Sequence, residues 1–388
     1  MQEQSNVAHL PQPEKKRAKI LLDERGLLDV PFLALTVLLV IIGVVMMFSA
    51  SYARAYAEKN NATYFFARQA IFAIFGVGMM LFVSRVNYQI WRGASFIVLA
   101  VSIVFLMLVP IIGTEEGGAK RWIWIGFTSF QPSELTKLAI VMSFASLMST
   151  YREKMQTFRY GVAPFAAILL IVCALLALER HFSGILIILA IGASMMFLGG
   201  VQLRWFAIGG AAVAVFAVIY LTTMGYASDR VTAWRDPMSD PSDTGYQILQ
   251  SLYAIGSGGL MGLGFGKSRQ KYLYLPEEHN DYIFPIVCEE LGLIGAGIIM
   301  LLFAALILRG YWIVLHARDR FGSLLVIGVT SLLAMQTFLN IGVVTGLLPA
   351  TGISLPFFSY GGTALMIQLA EMGVVLSVSR QMKPTRAG

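Results

Sequence analysis

Charge is scarce in this 388-residue chain: Asp, Glu, Lys and Arg together make up 13% of it, about half the roughly 25% of an ordinary soluble domain. That shortage excludes a soluble fold. Cysteine is nearly absent too. Cys173 and Cys288 lie in or beside apolar runs with no C-x-x-C pair, which excludes a disulfide framework and a thiolate metal centre and leaves two packing residues. Short segments of alternating apolar and polar residues are missing, which excludes a transmembrane β-barrel. No internal repeat is visible. What is abundant is hydrophobic surface, 57% of residues, in continuous runs such as PFLALTVLLVIIGVVMMFSA at 31–50. Runs of about 20 apolar residues span a bilayer as helices.

Ten spans are expected, near 31–50, 69–84, 94–112, 135–150, 162–178, 184–200, 205–224, 285–308, 321–345 and 361–379. The fold class is therefore an all-α integral membrane protein with ten transmembrane helices. The net charge of +7 does not indicate nucleic acid, because the basic residues sit in short connections between spans, where they set orientation. Their distribution puts both termini in the cytoplasm. Residues 1–30 form a basic cytoplasmic segment, 31–379 the membrane domain and 380–388 a cytoplasmic tail. Ala53-Arg54-Ala55 is similar to a leader cleavage site, but the run before it is too long for a leader and reads as a retained first span. The long segment 225–284 between spans seven and eight falls outside. It is too apolar for disorder, so an amphipathic, partly re-entrant element is expected there.

Four segments carry polar chemistry. MGLGFGKS at 261–268 misses the phosphate-binding loop spacing by one residue, which excludes an ATPase. It reads either as a flexible turn or as a backbone cradle for another anion, with Lys267 and Arg269 beside it. PEEHNDYIFPIVCEELG at 276–292 concentrates Glu277, Glu278, His279, Asp281, Glu289 and Glu290 at the start of the eighth span. Acids there suit helix capping, and interfacial acids suit a functional site. Glu277, His279 and Asp281 would also suit a hard divalent cation. SELTKLA at 133–139 spaces Glu134 and Lys137 for a direct pair on one helix face, whether structural or facing a polar cavity. Upstream, Lys120, Arg121, Trp122 and Trp124 suit an interfacial belt, and Arg54 is a further cation just outside the first span. LPFFSYGGT at 355–363 reads as a shaped turn, or as irregular backbone lining a cavity. Glu371 inside the tenth span needs a partner or a proton.

These motifs, in this order and with the ten spans, resemble the SEDS family (shape, elongation, division and sporulation) over nearly the whole chain. The S-R-Q-K-Y and H-N-D-Y-I-F wording is closer to its FtsW and SpoVE branch than to RodA. The resemblance implies a multi-pass protein of the bacterial cytoplasmic (inner) membrane, at the division septum. It implies a peptidoglycan glycosyltransferase that polymerises lipid II, the undecaprenyl-pyrophosphoryl disaccharide-pentapeptide, at the outer face for septal or spore wall synthesis. Expected partners are a class B penicillin-binding transpeptidase and other divisome membrane proteins. Asp281 matches the family's essential aspartate and is the expected general base for the attacking sugar hydroxyl. The leaving pyrophosphate needs cations or a divalent ion. Arg54, Arg121, Lys137, Lys267 and Arg269 are candidates, and Glu134, His279, Ser359, Tyr360 and Gly361 complete the expected substrate-binding set. No cofactor is certain; Mg or Mn is the candidate ion.

At one place the chain departs from the family pattern. After the fifth span it reads Glu179-Arg180-His181-Phe182-Ser183-Gly184, with His181 where the family usually has an acid, so His181 is left out of the catalytic set. Two other function classes remain alternatives: a lipid-linked-sugar flippase, with the polar groups lining a path across the membrane, and a non-catalytic division scaffold.

Overall fold

The computed structural model describes residues 26–116, 119–126, 128–223, 232–242 and 245–382. The expected cytoplasmic segment up to residue 25 and the tail from 383 lie outside the described residues, as do parts of the long loop at 224–231 and 243–244.

Helices cover all ten segments expected to span. They are α1 (Val30–Lys59), α2 (Tyr64–Val83), α3 (Gln89–Ile112), α4 (Pro132–Thr150), α5 (Ala163–Leu178), α6 (Phe182–Leu198), α7 (Leu203–Thr223), then α8 (Tyr246–Gly258) in the long loop, and α9 (Ile283–His316), α10 (Arg320–Val344) and α11 (Gly362–Ser379). Among the described residues seven helices are long and apolar enough to cross a membrane, while Phe182–Leu198 and Leu203–Val215 are shorter apolar stretches. Helix α4 differs for a physical reason. It is buried along almost its whole length, packed by α3, α6 and α10. With little face left for lipid it needs few large apolar residues, and its Ser, Thr and Ala allow close helix approach.

Local signals set the helix ends. Asp29 caps α1 by accepting from the Phe32 amide at 2.9 Å, and the same carboxylate pairs with Arg309 of α9 at 2.8 Å. Pro132 opens α4, where its missing N–H costs nothing. Asn60 ends α1 in the left-handed region.

The fold is not purely helical, which corrects the all-α expectation. Three short strands between α3 and α4 form an antiparallel sheet, β1 (Thr114–Glu116), β2 (Ala119–Ile125) and β3 (Thr128–Phe130). The sequence AKRWIWI explains it, since Trp and Ile favour strands, and Ala119 and Ile123 are buried while Lys120 and Trp124 are exposed, on opposite faces of the strand. Trp122 sits opposite Thr114, and Ile123 opposite Phe130. Thr363 at the start of α11 donates to the Ser129 carbonyl at 2.8 Å and ties the sheet to the bundle.

The expected amphipathic element of the long loop is α8, which buries Ile248, Leu249, Ser251, Ala254 and Gly258, the last against α9. The glycine-rich stretch after it pairs with backbone of α9. Helix α9 breaks at Gly292 (φ 66°, ψ −172°), which frees backbone groups that must be satisfied at membrane depth. The loop supplies partners: Leu263 and Gly264 amides donate to the Glu289 and Glu290 carbonyls at 2.9 and 3.0 Å, and the Leu293 amide donates to Gly259 at 2.9 Å. A side chain at Gly292 would put its Cβ 2.3 Å from the Gly262 nitrogen, so the two chains meet only through glycine.

The carboxylates of Glu289 and Glu290 are each 1% exposed. Glu289 accepts from the Arg269 and Gln270 amides at 3.1 and 3.2 Å and from the Ser268 hydroxyl. Glu290 accepts from Ser49 of α1 at 2.7 Å and pairs with Lys271 at 2.9 Å. Removing one partner of a buried pair strands the other charge, at roughly 3–5 kcal/mol. Lys271→Met should therefore lower the thermal unfolding midpoint of the purified protein strongly, and adding Glu290→Gln should recover much of the loss. An unchanged midpoint in Lys271→Met would show that the cluster does not hold the loop.

Candidate active site

One cavity of about 600 Å³ lies where the ends of α1, α2, α4 and α6 meet the sheet, the turn before α9 and the turn before α11. Nine of the eleven residues expected at the site line it: Arg54, Arg121, Glu134, Lys137, His279, Asp281, Ser359, Tyr360 and Gly361. Lys267 and Arg269 do not. Both are exposed on the loop that wraps Glu289, and the Arg269 amide is engaged with that carboxylate. The glycine-rich segment beside them suggested an anion cradle, and that segment instead packs against the backbone of α9.

The turn holding Asp281 is fixed from three sides. Glu278 is fully buried and receives two hydrogen bonds from the Arg54 guanidinium, Nε and Nη2, both at 2.8 Å. Burial pushes the Glu278 carboxyl above its ordinary pKa, and the Arg54 hydrogen bonds oppose that push. The Tyr360 amide donates to the His279 carbonyl at 2.8 Å, and Phe65 lies between the His279 and Tyr360 rings at 4.9 and 5.1 Å. Asn340 of α10 donates to the carbonyls of Asp281 and Ile353, both at 2.7 Å. Asp281 itself is half-buried at the cavity wall.

The second wall, 352–362, is irregular backbone at a cavity, as LPFFSYGGT suggested. The Ser359 hydroxyl accepts from the Leu355 amide at 2.7 Å. Gln69 of α2, fully buried, donates to the Ser359 carbonyl at 3.1 Å and accepts from the Gly361 amide at 3.3 Å. At the start of α4, Lys137 reaches Glu134 at 2.8 Å with both side chains buried. The pair is the direct contact that the spacing allowed.

His279 is buried, and burial together with the nearby Arg54 pushes it down to about 3, so it is a neutral imidazole. Among the described residues no three His, Cys, Asp or Glu side chains group to hold a metal.

Asn340, Gln69, Gln336 and Gln368 were missed from the sequence. Each is a lone amide in an apolar run, and a polar side chain at membrane depth is costly unless it has a task. That signal was present, but it names no partner. The sequence also set His181 aside, and the structure places it on the cavity wall.

The family described as cell cycle protein, FTSW_RODA_SPOVE, matches residues 30–384. The chain belongs to that family. A probable peptidoglycan glycosyltransferase FtsW from Geobacter metallireducens is 40% identical over 371 residues, covering 95% of this chain and 98% of that one. Stage V sporulation protein E from Bacillus subtilis is 39% identical over 359 residues, covering 91% and 97%. Among solved structures, a chain from a peptidoglycan synthase complex that coordinates polymerization and crosslinking superposes with a TM-score of 0.78 at 26% identity, covering 91% of this chain and 98% of that one. The rod shape determining protein RodA of Thermus thermophilus gives 0.69 at 26% identity, with coverage of 92% and 98%. In this FtsW/RodA/SpoVE member the cavity is therefore set in the fold that RodA shares.

At the end of α5 the Glu179 carboxyl is 3% exposed with Oε1 unpartnered. Burial pushes it up to about 8, against the pull of Arg121. The folded state thus holds this proton more tightly than the unfolded chain, so stability is full below pH 4.5 and is lost as pH rises towards 8. Glu179→Gln should flatten that decline. The measurement is the unfolding midpoint from pH 5 to 8, and parallel wild-type and variant curves would refute the assignment.

Proposed function

We propose that this chain is a peptidoglycan glycosyltransferase that polymerises lipid II into glycan strands at the outer face of the bacterial cytoplasmic membrane. The observation that carries the reading is the Asp281 carboxylate at the wall of a cavity that also holds Arg121 and Lys137. Glycosyl transfer asks for that combination: a base beside the attacking hydroxyl and positive charge beside the departing pyrophosphate. The names of the FtsW relatives support it.

In this reading all ten long apolar segments cross the membrane, both termini face the cytoplasm, and 225–284 lies outside. The acceptor sugar hydroxyl attacks the anomeric carbon of the donor, and Asp281 takes its proton. Asn340 and Glu278 act by holding the turn that aims Asp281. Arg54 is committed to Glu278, so Arg121 and Lys137 are the cations nearest to the task of meeting pyrophosphate. The chain works with a class B penicillin-binding transpeptidase and with other divisome membrane proteins at the septum or in spore wall synthesis. The synthase-complex relative supports the first of these partners.

The test is polymerisation of labelled lipid II by the purified protein with its cognate transpeptidase, compared with Asp281→Asn. Asn keeps the shape and much of the hydrogen bonding but cannot accept the proton. A loss of about 10² to 10⁴ in rate is expected, with expression and transpeptidase binding retained. Wild-type rates from Asp281→Asn would remove Asp281 as the base. Transfer of lipid II across the membrane by a wild-type protein that makes no strands would favour a flippase.

A further inference from the structure

The wall opposite the Asp281 turn is built from the N-terminus of α6. His181, Ser183 and Gly184 line the cavity there. The first amide bond of the helix runs from Ile185 to the His181 carbonyl at 3.2 Å, so the Ser183 and Gly184 amides lie ahead of the ladder, at the positive end of a 17-residue helix. His181 occupies the cap position without capping. It is 8% exposed, and its Nδ1 has no hydrogen-bond partner. The ring lies over the first turn, where a Cβ built on Gly184 would be 2.9 Å from Nδ1.

The charged groups acting on this histidine are Arg121 on β2 and Lys137 on α4, the latter paired with Glu134, and Glu179 and Arg180 precede it in the chain. Arg121 also donates to the Arg180 carbonyl at 2.7 Å. Burial, then Arg121 and Lys137, push the imidazole down to about 3. Two cations, a helix N-terminus and an unpartnered buried histidine thus converge on one wall, and an anion there would offset all three costs together.

We infer that His181, Arg121, Lys137 and the N-terminus of α6 receive the pyrophosphate of the lipid-linked donor, and that His181 takes up a proton as it binds and returns it to the departing oxygen. This rests on the glycosyltransferase reading above. In the step, the acceptor oxygen bonds to the anomeric carbon and gives its proton to Asp281, which later releases it to water. The bond from that carbon to the phosphate oxygen breaks with its electron pair staying on oxygen, and the imidazolium proton moves to that oxygen. His181 ends neutral, ready for the next donor. Burial first, then the field of Arg121 and Lys137, keeps the free imidazole neutral; the anion drives the uptake because it gives the buried imidazolium a charge partner and cancels that field.

The test uses the full chain in nanodiscs with undecaprenyl pyrophosphate as the probe. Calorimetry in buffers of different ionisation enthalpy counts protons taken up on binding from pH 5.5 to 7. Wild type should take up about one proton more than His181→Gln, and its affinity should fall more steeply with pH, by about tenfold per unit. Gly184→Ala puts a methyl group where the ring lies and should lose the same proton, so it carries the test if His181→Gln does not fold. Equal proton uptake by wild type and the folded variants, alongside glycan synthesis by wild type, overturns this inference alone. Proton-linked binding that depends on His181, in a protein that makes no glycan with its transpeptidase, upholds the anion site and overturns the glycosyltransferase reading instead.

Discussion

The ion pair between Arg54 and Glu278 is the contact on which the site depends. Glu278 has no exposed surface, and a carboxylate taken wholly out of water survives only with a partner that repays its desolvation. Arg54 is that partner, held near the end of α1 and bonded through two nitrogens at 2.8 Å, the fork geometry that suits a carboxylate. The pair pins a turn that would otherwise be a loose connection. His279 and Asp281 follow within three residues, so the reach of one guanidinium sets where the candidate base stands relative to the cavity. The Asn340 side chain then fixes the backbone of Asp281 itself.

The same accounting of buried polar groups governs the neighbouring loop. A helix broken at Gly292 would leave amides and carbonyls bare in an apolar setting, and the glycine-rich stretch answers them by backbone pairing. Glu289 and Glu290 look like surface acids in the sequence. They are instead enclosed by Ser268, the Arg269 and Gln270 amides, Ser49 and Lys271. The loop is therefore a packed part of the bundle, anchored to α1 through Ser49 and Lys271 much as the Asp281 turn is anchored through Arg54.

The long apolar segments were legible because bilayer thickness imposes a length and a composition that no tertiary contact has to reveal. The Glu134–Lys137 contact was legible for a related reason: three residues along a helix fix the geometry locally. The small sheet between α3 and α4 was overlooked although AKRWIWI is rich in β-favouring Trp and Ile, since its Trp and Lys residues also satisfy the pattern of a membrane interface. Partners far apart in the chain were not legible. Nothing near Arg54 points to Glu278, 224 residues on, and Asn340 gives no sign that it holds Asp281. Lys267 and Arg269 misled for the converse reason, because the glycine-rich segment beside them has the look of an anion cradle and is instead used to pair with the broken backbone of α9.

The account's central claim is that Arg54 serves catalysis through Glu278, by holding the Asp281 turn. Polymerisation rates of Arg54→Ala, Glu278→Ala and the double variant, each checked for folding, test it most directly. If the two side chains act as one unit, the double variant is no slower than the slower single variant. Losses that multiply would contradict the claim and would mean that each residue meets substrate independently.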